Sequence, residues 1–196
     1  MIKMLKFIAT VGTNASFSFN RFLLNYMRGR YSKQTEIEIQ EIKNIPSFNE
    51  DMVRLPPQCV LELIDKIEAA DGVIFATLEY DHVILAVLKS VLEWPLSVAH
   101  LLLRKSVMIV GGSDGVQGTV CEQIDLFQIL NAPGVMTNTL PINEFMLGKV
   151  KNKLNQNEGL IHEQTIEFLD QCFANYVNVV NKRKLCFKKL MTKEEV

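Results

Sequence analysis

Short runs of apolar and β-branched residues alternate along this chain with longer segments in which apolar residues recur every three or four positions. Residues 5–11 and 35–39 have the composition of β-strands, and residues 72–77 are apolar throughout, as expected of a strand that is covered on both faces. Residues 106–110 and the weaker run 135–140 have similar patterns. The pattern therefore predicts five strands.

Segments with helical spacing follow these strands. Apolar residues recur every three or four positions in residues 19–26, 58–70, 84–95, 119–130 and 160–180. Pro95 is expected to end the third of these helices, because proline removes a helical hydrogen bond. Residues 143–158 are polar and give no clear pattern. The chain thus consists of alternating strand and helix units.

Strands and helices that alternate with short connections predict a parallel sheet, because right-handed crossovers place helices on both of its faces. Five strands favour a flavodoxin-like, doubly wound α/β fold with strand order 2-1-3-4-5. We expect one domain over residues 1–181 and a charged, fraying tail over residues 182–196. Ligands of such folds bind at the carboxyl ends of the strands, so the loops after strands one, three and four form the candidate site.

The charge balance and the cysteines narrow the function classes. The 196 residues include 21 Lys and Arg against 22 Asp and Glu, so no long-range field favours nucleic acid or an anionic membrane. The four cysteines are widely spaced and predict reduced thiols without a metal site. The most apolar stretch, residues 83–103, contains Lys89 and Glu93, which disfavour a membrane span. The apolar start of the chain lacks a signal cleavage site, so we expect a cytoplasmic protein.

The loop after the first strand, residues 12–20, is rich in small polar residues. The hydroxyls of Thr13 and Ser18, the amide of Asn20 and the N–H groups at a helix start can enclose a phosphate dianion. A serine that simply caps the helix explains the same residues, and the loop by itself favours this second explanation. The loop lacks the residues of a Walker or GxGxxG motif, which disfavours ATP and Rossmann-type NAD binding.

Two further loops lie at the same predicted edge of the sheet. In residues 77–82, Tyr80 offers a ring to a planar heterocycle, although a plain turn that places Glu79 and Asp81 in the first turn of a helix is the commoner explanation. Residues 111–118 contain four glycines, which permit a ligand to approach the backbone or form a plain strand-to-helix turn. The shared position of the three loops is what favours a flat, phosphorylated cofactor.

These loops resemble those of a known family. Residues 12–23, GTNASFSFNRFL, look like the phosphate loop GSxRxxSxN of the NADPH-dependent FMN reductases, which include azo, quinone and chromate reductases. Residues 77–94, TLEYDHVILAVLKSVLEW, resemble the longer motif TPEYNHSxPxxLKNxxDW of the same family. Residues 105–130 resemble its strand, glycine loop and helix, so the likeness covers about residues 6–141.

The resemblance implies FMN as the cofactor and names its contacts by position. The phosphate contacts fall on Thr13, Ser18, Phe19 and Asn20, and the isoalloxazine contacts on Leu78, Glu79, Tyr80, Asp81, Ser113 and Gly115. Three positions depart from the family pattern, with Ala15 in place of Arg, Leu78 in place of Pro and Asp81 in place of Asn. The missing Arg removes a charge-assisted phosphate contact, which Arg21, Arg28 or a partner subunit would have to replace.

By the same resemblance, electrons pass from NADPH or NADH through FMN to a small acceptor such as a flavin, a quinone or an azo compound. The flavin supplies the chemistry, so we predict no catalytic side chain. A non-catalytic flavin-binding carrier is an alternative, although carriers are usually strongly acidic, and a relative that has lost FMN is another.

The family forms dimers or tetramers, so a homodimer or homotetramer is expected. Trp94 and residues 101–103 lie either at a subunit contact or in the core.

Overall fold

The computed structural model describes residues 4–99, 101–103, 105–155 and 159–191. The strands are β1 (Leu5–Val11), β2 (Thr35–Glu41), β3 (Gly72–Thr77), β4 (Glu79–Tyr80), β5 (Val83–Ile84), β6 (Ser106–Gly112), β7 (Asn138–Thr139), β8 (Phe145–Leu147), β9 (Leu154–Asn155) and β10 (Gly159–Leu160). The helices are α1 (Phe19–Arg30), α2 (Gln58–Ala69), α3 (Ala86–Ala99), α4 (Val120–Leu130), α5 (Val150–Lys153) and α6 (Glu163–Met191), with a 3₁₀ turn at Glu50–Met52. No helix in these described ranges is long and apolar enough to cross a membrane.

The main sheet has the order β2-β1-β3-β6-β7, and each of these pairs is parallel. β7 pairs with the start of β6, whereas β8 pairs with its end, where Phe145 lies opposite Val110. The last position of the sheet is therefore one strand that residues 140–144 interrupt. The predicted flavodoxin-like order 2-1-3-4-5 is confirmed, and the second part of the fifth strand lies in the segment that gave no sequence pattern.

Helices cover both faces of the sheet, and strand residues alternate between the two sides. Phe7 and Val11 of β1 pack on the side of α1 and α6. Ile8 of β1, with Val73 and Phe75 of β3, packs on the side of α2, α3 and α4. Because both central strands are buried on both faces, their sequences are apolar almost without interruption, which made them easy to predict.

The last helix, α6, is longer than the sequence pattern predicts. Tyr176 is buried near its middle and donates a hydrogen bond to a β3 carbonyl at 3.1 Å, and a Cβ at Gly72 would lie 2.2 Å from the Tyr176 oxygen. Further along, Lys184 pairs with Asp71 at 2.6 Å. The start of the predicted tail, residues 182–196, is thus helical, and Lys184 contacts the residue that precedes β3. Its fraying stays a prediction, and residues 192–196 lie outside the described part.

The prediction that Pro95 ends the third helix is wrong, because α3 continues through Pro95 to Ala99. Proline inside a helix costs roughly 3 kcal/mol. The same helix buries Leu88, Leu92 and Trp94, and burial of each such side chain contributes about 1.5–3 kcal/mol. Burial of this apolar face therefore outweighs the lost hydrogen bond.

Of the two predicted places for Trp94, a subunit contact or the core, the structure shows the core. Its indole N–H donates to the carbonyl of Pro46 at 2.9 Å, and its ring packs edge-on against Phe48 with centroids 5.0 Å apart. Leu102 is also fully buried, whereas Leu103 is exposed. Trp94 is thus unavailable to a second subunit, and the homodimer or homotetramer stays a prediction.

Candidate cofactor site

One side chain joins the three loops that the sequence singles out. Asn20, in the first turn of α1, is buried, and its amide N–H donates to the carbonyl of Thr77 at the end of β3. Its Oδ1 accepts a hydrogen bond from the N–H of Gly112, at the end of β6, at 2.8 Å. The carboxyl ends of β1, β3 and β6 therefore meet at one edge of the sheet. Since both ends of its amide bond to backbone, Asn20 positions the loops in this structure. These bonds do not use the second amide hydrogen, and the predicted phosphate contact of Asn20 stays a prediction.

The first loop keeps its hydroxyl hydrogens available for a ligand. Oγ1 of Thr13 accepts from the N–H of Ala15 at 3.1 Å, and Oγ of Ser18 caps α1 by accepting from the N–H of Arg21 at 3.3 Å. Each hydroxyl uses an acceptor lone pair in this way and retains its own hydrogen for donation. Residues 14–17 between them are exposed, and the first N–H groups of α1 lack intrahelical partners. The loop therefore presents donors, as a phosphate dianion requires.

Arg21 holds the outer side of this loop. Its guanidinium donates to the carbonyls of Ala15 at 3.0 Å and Ser16 at 2.8 Å, and it forms a two-bond pair with Glu41 at 2.5 and 2.8 Å. The hydrogen bonds to Glu41 raise the pKa of Arg21 and balance its charge. Arg28 donates instead to a side chain one turn earlier on the exposed face of α1. Arg21 thus fixes the shape of the loop, while its charge faces Glu41.

The second loop is a β-hairpin, and the alternative of a direct turn into a helix is wrong. β4 and β5 pair antiparallel across the two residues Asp81 and His82, whose φ angles are 50° and 64°. Two-residue hairpin turns of this kind need positive φ at both positions, which Asp and Asn adopt more readily than most residues. Asp81 therefore satisfies the same backbone requirement as the Asn of the family pattern. Tyr80, beside it, is 63% exposed.

Carboxylates fasten this hairpin to α4. Oε2 of Glu79 accepts from the N–H groups of Cys121 at 3.1 Å and Glu122 at 3.4 Å, where the helix dipole favours a negative charge. Oδ2 of Asp125 accepts from the N–H of Ile84 at 3.0 Å. Because the Glu79 side chain caps α4, the groups of Glu79 that can contact the ring are its backbone N–H and C=O.

The third loop is held from within and by the strand beyond it. The N–H of Ser113 donates to the carbonyl of Leu147 at 3.0 Å, and its hydroxyl donates to the carbonyl of Gly118 at 2.6 Å. Gly118 has φ +71°, a conformation that favours glycine. At Gly115, by contrast, an added Cβ would find the Ser113 hydroxyl, at 3.5 Å, as its one neighbour within 4 Å. The space beside the Gly115 Cα is therefore open to a ligand, whereas the Gly115 carbonyl accepts from the N–H of Lys149 at 3.0 Å and Ser113 holds the loop.

Glu122 is a buried acid beneath these loops that the sequence pattern did not lead us to predict. Glu122, in the first turn of α4, is fully buried, and within the described residues neither carboxylate oxygen has a hydrogen-bond partner of good geometry. Burial raises the pKa of Glu122 to about 8, against a smaller opposing effect of the Thr77 hydroxyl, so the group is a neutral acid at pH 7. A signal existed, because Glu122 lies four residues before Leu126, on the apolar stripe of α4.

A cavity of about 900 Å³ lies elsewhere, lined by Phe48, Glu50, Asp51, Val53, Arg54 and Ser97. Its lining includes residues of the 3₁₀ turn and of α3, and none of the three loops contributes to it. In doubly wound folds, ligands bind at the carboxyl ends of the strands. We therefore take the edge around Asn20 as the candidate cofactor site.

Comparison with known proteins agrees with this choice. The family model described as NADPH-dependent FMN reductase matches residues 5–152. The NADH:(hydroxy)cinnamate reductase subunit CrdA of Vibrio ruber is 43% identical over 173 residues, which cover 88% of this chain and 86% of that protein. The NADH-dependent flavin reductase subunit 2 of Lactobacillus johnsonii is 42% identical over 183 residues, which cover 91% of this chain and 98% of that protein.

A solved structure supports the fold. The flavoenzyme NAD(P)H:(acceptor) oxidoreductase FerB of Paracoccus denitrificans superposes with a TM-score of 0.82 at 24% sequence identity. The superposition covers 91% of this chain and 98% of that one. The same doubly wound architecture thus extends over nearly all of both chains.

Proposed function

This chain belongs to the NADPH-dependent FMN reductase family, and from that premise we propose which residues hold FMN and how the protein works with a partner. As a member of the family it is an FMN-dependent oxidoreductase that takes electrons from NADH or NADPH. Family membership supports the predicted activity, and the flavin spectrum and NADH oxidation described below test it against the two alternatives, a non-catalytic carrier and a relative without FMN. The finer assignments follow from the loops around Asn20.

The phosphate of FMN binds at the first loop through neutral donors. Thr13 and Ser18 contribute their hydroxyl hydrogens, and Phe19 contributes its backbone N–H at the start of α1. Hydrogen bonds to a charged group contribute about 1.5–3 kcal/mol each, so a few such donors can replace the Arg that is absent at Ala15. Arg21 supports this arrangement by holding the carbonyls of the loop on the side of Glu41.

The isoalloxazine ring lies between the hairpin and the third loop. Leu78, Tyr80 and Asp81 contribute the hairpin side, and Gly115 leaves open space beside its Cα on the other side. The observation that carries this placement is the pair of Asn20 hydrogen bonds, because they hold the ends of β3 and β6 beside the phosphate loop. Glu79 and Ser113 hold the two loops in place with their side chains.

FMN held by these loops would supply the redox chemistry between a reduced nicotinamide and an acceptor. The chain's own residues bind and orient the reactants, and we assign no catalytic acid or base among them. Glu122 keeps its carboxyl proton at neutral pH, so no negative charge lies there beneath Thr77. The site thereby avoids one source of repulsion toward an electron-rich ring.

The acceptor side of the reaction involves a second protein. Both relatives above are named as subunits, one of a (hydroxy)cinnamate reductase and one of a flavin reductase. Each of the three loops also exposes a large apolar side chain, namely Phe17, Tyr80 and Val116. Such apolar groups around a site favour contact with a partner surface. We therefore propose that this chain is the NADH-oxidising subunit of a larger reductase. The small-molecule acceptor of that larger reductase is a flavin, a quinone or a cinnamate-type compound.

Two measurements on the purified chain test this proposal. Its absorption spectrum should be that of a flavoprotein, with FMN released on denaturation, and it should oxidise NADH with free FMN or a quinone as acceptor. A hydroxycinnamate offered to the chain by itself should remain unreduced, since the partner is absent. A colourless protein without NADH oxidation contradicts the FMN assignment. Reduction of the hydroxycinnamate by the isolated chain contradicts the subunit assignment and leaves the FMN assignment intact.

A further inference from the structure

Three side chains with metal-binding atoms meet behind the β4–β5 hairpin. They are Glu79 and His82 of the hairpin and Cys121 of α4, and their ligand atoms all lie within 4.8 Å of one another. The chain separates Cys121 from the hairpin by about forty positions, which is why cysteine and histidine spacing in the sequence gives no sign of this cluster.

The fold itself brings the three groups together. The tight turn at Asp81 and His82 returns the imidazole toward Glu79, so Nδ1 of His82 lies 3.3 Å from Oε1 of Glu79. The other carboxylate oxygen, Oε2, accepts from the N–H of Cys121 and fixes the first turn of α4 against the hairpin. One carboxylate therefore serves two purposes, with Oε2 anchored by backbone and Oε1 directed to the histidine.

These distances suit a tetrahedral metal ion. Bond lengths of about 2.0–2.2 Å to nitrogen and oxygen place two ligands of a tetrahedral zinc roughly 3.3–3.5 Å apart. The separation of Glu79 and His82 already has this value. The separations that involve Cys121 are at most 4.8 Å, so they need to close by about 1 Å at most. The His82 side chain is 77% exposed, which leaves space around it for such an adjustment. A ligand whose second oxygen is anchored by hydrogen bonds is typical of metal sites.

We propose that Glu79, His82 and Cys121 bind a zinc-class divalent ion. A thiolate with an imidazole and a carboxylate suits Zn²⁺, whereas Mg²⁺ and Ca²⁺ prefer oxygen ligands throughout. Three protein ligands leave the fourth position to water. The ion would lie between α4 and the hairpin, whose neighbouring residues Leu78, Tyr80 and Asp81 we assign to the flavin ring. The proposal concerns the chain's own side chains and does not require that the flavin assignment be correct.

Zinc titration of the purified, thiol-reduced protein against a chromophoric chelator tests the proposal. One Zn²⁺ per chain should bind with a dissociation constant of about 1 μM or tighter. Cys121→Ser and His82→Ala should each weaken binding at least tenfold, because each removes a direct ligand. Cys59→Ser is the matched control, since Cys59 is a half-buried cysteine on α2, outside the cluster, and its loss should leave the affinity unchanged.

A second readout identifies the ligand sulfur directly. Bound Zn²⁺ should protect Cys121 from alkylation, measured by mass spectrometry of the labelled peptide, and His82→Ala should abolish this protection without any change at Cys121 itself. Unchanged zinc affinity in Cys121→Ser, protection of a different cysteine, or wild-type binding weaker than about 100 μM each overturns the proposal. In that case the three groups form only a hydrogen-bonded anchor for the hairpin. FMN content and NADH oxidation, measured on the same samples, report separately on the flavin assignment.

Discussion

The phosphate end and the ring end of the candidate site are held by different physical means. At the phosphate end, neutral hydroxyls face the ligand, and the partly exposed pair of Arg21 and Glu41 supports the loop from outside. At the ring end, Glu79 fastens the hairpin to α4, and Glu122 lies buried beneath it. Exposed ion pairs contribute little to stability, whereas buried polar groups contribute or cost several kcal/mol. Changes at the ring end should therefore affect folding, and changes at the phosphate end should affect mainly the ligand.

Replacement of Asn20, which joins the two ends, should have the largest effect. Asn20→Ala leaves the buried carbonyl of Thr77 and the N–H of Gly112 without partners, and each such loss costs about 1–3 kcal/mol. We expect the free energy of unfolding in urea to fall by roughly 2–5 kcal/mol, together with loss of FMN. Asn25→Ala, on the exposed face of the same helix, is the control and should change stability by less than about 0.5 kcal/mol. A stable Asn20→Ala protein that retains FMN would show that the loops do not depend on this amide.

Removal of the buried acid should change how stability depends on pH. The unfolded chain loses the Glu122 proton near pH 4.5, whereas burial raises the pKa to about 8 in the folded protein. Between these values the folded state binds one more proton, so its free energy of unfolding falls by about 1.4 kcal/mol per pH unit. From pH 5 to 7 the wild type should lose about 3 kcal/mol through this group, and Glu122→Gln should remove that slope.

Urea unfolding of both proteins at pH 5, 6 and 7 measures the difference in slope. Glu62→Gln, at an exposed position of α2, serves as the control and should keep the wild-type slope. Equal slopes in the wild type and in Glu122→Gln would mean that Glu122 is ionised in the folded protein at neutral pH.

Changes at the phosphate end should alter FMN affinity more than folding. Ser18→Ala removes a hydroxyl donor to a charged group, so we expect FMN to bind at least tenfold more weakly, equivalent to about 1.4 kcal/mol or more. The lost helix cap should cost only about 1 kcal/mol of stability.

Ala15→Arg, at the same loop, should tighten FMN binding, because it restores a charge-assisted contact. A fluorescence titration with FMN measures these affinities, and Ser32→Ala, at the other end of α1, is the control. If Ser18→Ala binds FMN as tightly as Ser32→Ala does, Ser18 is excluded as a phosphate contact.

The smallest expected effect concerns the hairpin turn. Asp81 and Asn both suit its positive φ, so Asp81→Asn should leave the fold unchanged and remove one negative charge near the ring. Solvent screening limits the electrostatic effect to about 1 kcal/mol, so the two-electron potential of the bound flavin should rise by up to about 20 mV at low salt. Spectroelectrochemical titration measures the shift, with Asp51→Asn as the distant control. An unchanged potential would place the Asp81 carboxylate away from the ring.

The sheet could be predicted because its central strands are covered on both faces. Gly72–Thr77 is apolar from end to end, and its bounds in the structure match the prediction. The fifth strand was predicted poorly, because β7 and β8 contain two and three residues and leave too little sequence for a periodic pattern. Pro95 misled the helix prediction, since the sequence does not show how much apolar surface α3 buries on either side of it.

The site could be predicted as a set of loops and not as a set of contacts. The order of strands brings the loop ends together, and this order follows from the alternation of elements. The partner of each side chain depends on distances across the sheet, so the sequence did not show that Asn20 bonds to Thr77 and Gly112, while its predicted phosphate contact stays a prediction. The sequence likewise did not show that the Glu79 side chain caps α4, and the predicted contact of Glu79 with the ring stays a prediction.

Hydrogen exchange with and without FMN, read by mass spectrometry, tests the central assignment most directly. On addition of FMN to flavin-free protein, we predict slower amide exchange in residues 12–20, 78–82 and 113–118, and unchanged exchange around the cavity lined by Phe48, Arg54 and Ser97. Slower exchange at that cavity, with the three loops unchanged, would contradict the assignment of the FMN site to the edge around Asn20.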